Sequence, residues 1–123
     1  MKKAWRLAID FDGVINSYTS GFKPGDDSWL PDPPTEGAKR FIEEALECFE
    51  EVLIISTRAR SIAGVTAIHE WMRKYDLPSL NLFYEKLPAS VYLDDRAVNF
   101  RGIFPHAKML AEFNSWVDDI NKE

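Results

Sequence analysis

Short apolar runs and stretches with a helical period take turns along this chain. Ala4 to Ile9 is mostly apolar and is followed at once by Asp10, Asp12 and Gly13, the pattern of a buried strand that ends in a turn. Val52-Leu53-Ile54-Ile55 is a second such run, rich in β-branched residues and closed by Ser56-Thr57-Arg58. A weaker run from Leu80 to Tyr84 predicts a third strand. Val91-Tyr92-Leu93, closed by Asp94-Asp95, predicts a fourth, and Ala97 to Phe100 a short edge strand. Between the first two runs, Ala38, Phe41, Ile42, Ala45, Leu46 and Phe49 fall on one helical face opposite Glu43, Glu44 and Glu47, with Thr35 placed to cap the helix. Ile62, Val65, Ile68, His69, Met72 and Tyr75 predict a second helix closed by Leu77-Pro78. Met109, Leu110, Phe113, Trp116 and Val117 predict one more, from about His106 to Ile120.

Strands and helices in alternation predict an α/β fold. The expectation is a three-layer α/β/α sandwich with a mainly parallel, Rossmann-like sheet, in which ligands gather at the carboxyl ends of the strands. Three of the four strands deliver polar groups to that edge: Asp10 and Asp12, Ser56 and Thr57, Asp94 and Asp95. The stretch from Asn16 to Pro34 is rich in Gly, Pro, Ser and Asp, so it predicts a long loop. Loops of that length in compact domains are commonly lids or binding loops, and this one starts four residues after Asp12.

At 123 residues the chain suits one domain, 1–123, with the loop at about 16–34 as its flap. The formal net charge of −5 supplies no general attraction to phosphate backbones or anionic lipid, so a nucleic-acid partner is not favoured. No run approaches the ~20 apolar residues of a membrane span, and nothing near the start has the apolar core of a signal peptide. The single cysteine, Cys48, has no partner for an internal disulfide; it reads as a small buried apolar residue and suits a reducing cytoplasm. Trp5, Trp71 and Trp116 lie in apolar patterns and read as core residues, whereas Trp29 lies in the loop and either pins it or touches substrate.

Carboxylates crowded at one sheet edge repel unless a cation lies among them. Hard oxygen donors suit magnesium, which keeps some of its water and also binds substrate phosphate. With the motifs in place, the chain resembles the haloacid dehalogenase superfamily of phosphatases in its small, capless form. Four segments carry the resemblance: Ala8-Ile9-Asp10-Phe11-Asp12-Gly13-Val14-Ile15, Leu53-Ile54-Ile55-Ser56, Lys86-Leu87-Pro88-Ala89, and Val91-Tyr92-Leu93-Asp94-Asp95-Arg96. Ser56-Thr57-Arg58, Trp71-Met72 and the run from Lys86 to Phe100 look most like a group of small bacterial and phage proteins.

The resemblance implies a role for each of these residues. Asp10 would be the nucleophile that forms an aspartyl-phosphate, and Asp12 the acid that protonates the leaving alkoxide and then the base that activates water. Ser56 would hydrogen-bond the phosphoryl oxygens, and Lys86 would offset their charge. Asp94, with Asp95, would hold magnesium beside Asp10 and the Asp12 backbone carbonyl. Thr57 and Arg58 are further substrate-binding candidates. Neighbouring strand residues point to opposite sides, so only one of Ser56 and Thr57 faces the phosphate, and the spacing to Arg58 favours Ser56. Asp95 could instead pair with Arg96 or Arg101, Arg58 could be a solvated charge at a helix start, and Lys86 a surface residue. His69 and His106 lie away from the strand ends and are assigned no function.

The expected activity is therefore a magnesium-dependent phosphomonoesterase acting on a small phosphorylated metabolite or a nucleotide. Two alternatives stand beside it: phosphate ends on nucleic acid or protein, which a site without a large cap could admit, and a catalytically silent binding module of the same fold. A homo-oligomer, with another subunit covering the site, is a further expectation.

Overall fold

A computed structural model describes residues 2–121 of the chain. The strands are β1 (Ala4–Asp10), β2 (Phe49–Ile55), β3 (Asn81–Phe83) and β4 (Val91–Leu93). Helix α1 (Ala38–Cys48) joins β1 to β2, and a 3-10 turn (Thr57–Arg60) with helix α2 (Ile62–Lys74) joins β2 to β3. The four strands form one parallel sheet in the order β3-β2-β1-β4.

That order decides where the chemistry sits. The chain steps outward from β1 to β2 to β3 and then returns to the far side of β1, so β1 and β4 flank the point at which the connections reverse. Open parallel sheets bind ligands in the crevice at such a point. The ladder pairs Ile9 with Leu93, so Asp10 and Asp94 leave neighbouring strands side by side. It also pairs Asp10 with Ile55, immediately before Ser56.

The two outward crossovers run in the same sense, which sets α1 and α2 on one face of the sheet. The main core lies there: Leu7 and Ile9 of β1 and Val52 and Ile54 of β2 pack with Ile42 and Ala45 of α1 and with Ile68, Trp71 and Met72 of α2. Alternation along the strands turns Ala8, Asp10, Leu53 and Ile55 to the other face. On that side Lys86, Tyr92, Asp94 and Ala97 line a cavity with Ala8, Asp10 and Ile55. Trp71 is the largest single anchor, its ring edge-on to Phe11 at 5.0 Å and its indole N–H donated to the Asp32 carbonyl at 2.9 Å.

Loop 16–34 is built rather than slack. Its ends are clipped by bridges of Asn16 to Asp12 and to Pro34, and by Thr35 N–H to the Ile15 carbonyl at 2.8 Å. Buried Asp32 accepts from Ser20 N–H at 2.8 Å and from Ser20 Oγ at 2.6 Å.

Several local expectations are corrected. The helix expected from His106 to Ile120 is two short ones, α3 (Ala107–Ala111) and α4 (Trp116–Asn121). Ser115 and Asp118 are the reason: Ser115 N–H donates to Asp118 Oδ2, and Asp118 N–H to Ser115 Oγ, a capping box that starts a new helix. Ala97 to Phe100 forms no strand. Thr35 does not cap α1; left-handed Gly37 precedes that helix, and Thr35 Oγ1 is buried without a partner. Cys48 is exposed at the end of α1, and Trp5 and Trp116 are 46% and 41% exposed instead of core.

Candidate functional site

The turn after β1 gives the site its shape. Gly13 has φ +86°, and a Cβ built there would stand 2.2 Å from Asp95 Oδ2, so only glycine lets the β4 carboxylates approach the β1 turn. Gly13 N–H donates to the Asn16 carbonyl at 2.9 Å, and its own carbonyl accepts from Trp116 Nε1 at 2.7 Å. The indole of α4 thus fastens the turn from outside.

Asp10, Asp94 and Asp95 converge, each offering a carboxylate oxygen within 4.8 Å of the others. Asp10 Oδ1 accepts from Phe11 N–H at 3.0 Å, while Asp95 Oδ1 is buried with no donor. Burial, together with the neighbouring Asp95 and Asp94 carboxylates, pushes the Asp10 carboxyl up to about 8. These are the marks of a cluster short of positive charge. A divalent cation fits on two grounds: an orphan carboxylate oxygen, and an all-oxygen donor set.

Asp12 has other partners. Its Oδ1 accepts from Asn16 Nδ2 at 2.8 Å, and its Oδ2 from Arg58 Nε at 2.7 Å. Its side chain is outside the three-carboxylate group, so the expected metal set is brought together as Asp10, Asp94 and Asp95, with Asp12 two residues from Asp10 in the same turn.

Lys86 lines the same cavity as Asp10, Ile55, Tyr92 and Asp94, a space of about 270 Å³. Its ammonium lies 5.0 Å from the centre of the Tyr92 ring. Lys86 and Asp94 are both exposed, so the cavity opens to solvent. Ser56 is buried and Thr57 exposed. Ser56 Oγ accepts from Arg58 N–H at 3.2 Å, and Ser56 N–H donates to the Phe83 carbonyl, which fixes the hydroxyl at the start of the 3-10 turn. Arg58 is buried, with its Nη1 donated to the carbonyls of Asp27 at 2.9 Å and Trp29 at 2.8 Å. It is not the solvated charge that its position at a helix start allowed for. Asp95 makes no ion pair with Arg96 or Arg101; Arg96 pairs with Asp118.

Two participants were missed in the sequence. Asn16 is buried and ties Asp12 to the root of the loop, and an amide four residues after the carboxylate is a weak local signal for such a turn. Tyr18 holds a left-handed backbone, φ 62°, and its phenol is pushed up by burial and by the nearby Asp12 charge. No sequence pattern announces a tyrosine in that conformation.

No family model, curated protein or solved structure matches the chain.

Proposed function

We propose that the chain is a magnesium-dependent phosphomonoesterase of the haloacid dehalogenase type, its sheet the middle layer of an α/β/α sandwich. The observation that carries this reading is the juxtaposition of Asp10, Asp94 and Asp95, with a buried unpaired oxygen, and Lys86 in the same open cavity. Bound magnesium would be held by these three carboxylates and the Asp12 backbone carbonyl, and would supply charge neutralisation for the phosphoryl group.

Asp10 attacks phosphorus in line. The new bond is Asp10 Oδ–P, and the bond broken is that between phosphorus and the leaving alkoxide, to which Asp12 delivers a proton. Water then attacks the aspartyl-phosphate as Asp12 takes its proton, releasing inorganic phosphate and restoring Asp10. Lys86 offsets charge on the phosphoryl oxygens, and the Ser56 hydroxyl donates to one of them.

Small phosphorylated metabolites or nucleotides are the proposed substrates. Exposure of Lys86 and Asp94 also favours a second reading, phosphate ends carried on nucleic acid or protein, because nothing among the described residues closes over them. A cytoplasmic setting fits the free cysteine. Among the described residues no helix is long and apolar enough to cross a membrane. A homo-oligomer is supported by the apolar side chains exposed between Val98 and Phe113.

The test is hydrolysis of an aryl phosphate with and without magnesium, followed by a panel of phosphorylated sugars, nucleotides and oligonucleotide ends. Magnesium-dependent turnover that Asp10→Asn abolishes supports the reading. Turnover unaffected by Asp10→Asn refutes the nucleophile, and no turnover with no metal binding leaves the binding-module reading in its place.

A further inference from the structure

We propose that Arg58 is a positioning residue that makes the acid–base carboxylate Asp12 and the loop 16–34 move as one unit, and that it is not a phosphate ligand. The proposal rests on the acid–base reading of Asp12. Arg58 Nε donates to Asp12 Oδ2 at 2.7 Å, while Nη1 of the same guanidinium donates to the Asp27 carbonyl at 2.9 Å and the Trp29 carbonyl at 2.8 Å. A guanidinium is planar and rigid, so these donors keep a fixed relation, and displacement of the Asp27–Trp29 backbone displaces Asp12. The other Asp12 oxygen is held by Asn16, at the root of the same loop. Both oxygens are therefore tied to the loop, one at its start and one at its middle.

The anchor is itself held on both sides. Arg58 N–H donates to Ser56 Oγ, and its carbonyl lies so close to α2 that a Cβ on Gly64 would come within 1.8 Å of it. From the loop side, the Asp27 carboxylate accepts from Arg60 at 3.1 Å and from Ser61 Oγ at 2.9 Å. With 8% of its side chain exposed, the guanidinium already commits three of its five N–H donors to Asp12 and the loop, and only Nη2 is left over. The part of a substrate that lies against the loop would then set the position of the proton donor, beyond what phosphate alone does.

The experiment compares full-length wild type with Arg58→Lys, Arg58→Met and Asp27→Ala. Asp27→Ala loosens the loop from Arg60 and Ser61 without altering the side chains of Arg58 and Asp12. Three readouts are taken: hydrogen exchange of the loop amides, kcat and KM for an aryl phosphate with magnesium, and inhibition by inorganic phosphate. In both Arg58 variants, kcat is expected to fall about 10²-fold, the scale of general acid–base catalysis. Inhibition by phosphate stays within a factor of about three, because binding of the phosphoryl group is untouched. Loop amides lose protection in all three variants, and Asp27→Ala lowers kcat with Arg58 intact. The proposal is overturned if the Arg58 variants keep kcat and loop protection but lose phosphate inhibition, which would make Arg58 a phosphate contact. It is also overturned if Asp27→Ala frees the loop with no change in kcat. Should wild type hydrolyse no phosphomonoester, the phosphatase reading fails by itself. The exchange data still decide the strut: loop protection retained in Arg58→Met overturns it.

Discussion

Gly13 and Asp95 share one small volume: the space a Cβ on Gly13 would fill is occupied by the Asp95 carboxylate, at 2.2 Å from Oδ2. The β1 turn and the end of β4 are thereby fitted to each other across 82 residues of chain. Gly13→Ala is expected to push Asp95 away from Asp10 and to strain a backbone at φ +86°, with loss of magnesium affinity and of activity together. Titration calorimetry with magnesium checks this, and unchanged affinity would separate the glycine from the metal site.

Asp10 links the site to pH. Its carboxyl is raised from an ordinary 3.8 to about 8, so the folded metal-free chain holds that proton more tightly than the unfolded one. The associated stability is fully present below about 4 and is lost as pH rises through about 8. Metal-free protein should therefore be less stable at pH 8.5 than at pH 5, by on the order of 2–3 kcal/mol after allowance for partial exposure, and melt at a lower temperature. Asp10→Asn should flatten that slope. Magnesium should raise the melting temperature more at pH 8.5, where it no longer competes with the proton. Thermal melts across this range decide the matter, and a magnesium shift independent of pH would contradict it.

Lys86 offers a test with little structural risk, since it is exposed and its contact is with the Tyr92 ring. Lys86→Met is expected to lower kcat by roughly 10²–10³-fold, the usual scale for removing one donor from developing phosphoryl charge. The melting temperature should stay near that of wild type. Retained turnover would show that the ammonium does not reach the phosphoryl group.

Ile103 and Phe104 are 84% and 86% exposed, and Val98, Phe100, Met109 and Leu110 add further apolar surface beside them. Single domains rarely leave apolar patches beyond a few hundred Å² uncovered. Light scattering is expected to show a dimer of this chain, and the double change Ile103→Ser with Phe104→Ser a monomer of unchanged secondary structure. A monomeric wild type would remove this surface from consideration as a self-interface.

Much of this protein was determined locally and could be read before any coordinates. β1 and β2 announce themselves because short apolar runs bounded by charge have few other ways to bury themselves, and α1 and α2 because their period matches one covered face. The carboxylates at the ends of β1 and β4, and Ser56 at the end of β2, follow from parallel pairing alone. Local pattern could not say how well each apolar face would be covered. Phe41, Leu46, Trp5 and Cys48 lie in the right periods yet remain exposed, since burial depends on what packs opposite. Tertiary structure alone decided the rest. Strand order brought Asp94 beside Asp10, and the return of the chain set Lys86 into their cavity. The fold also joined Arg58 to Asp12, 46 residues away, and to two carbonyls of the loop. An arginine carries no mark in sequence of the acceptors it will meet; only packing selects them, by leaving a buried cation no others.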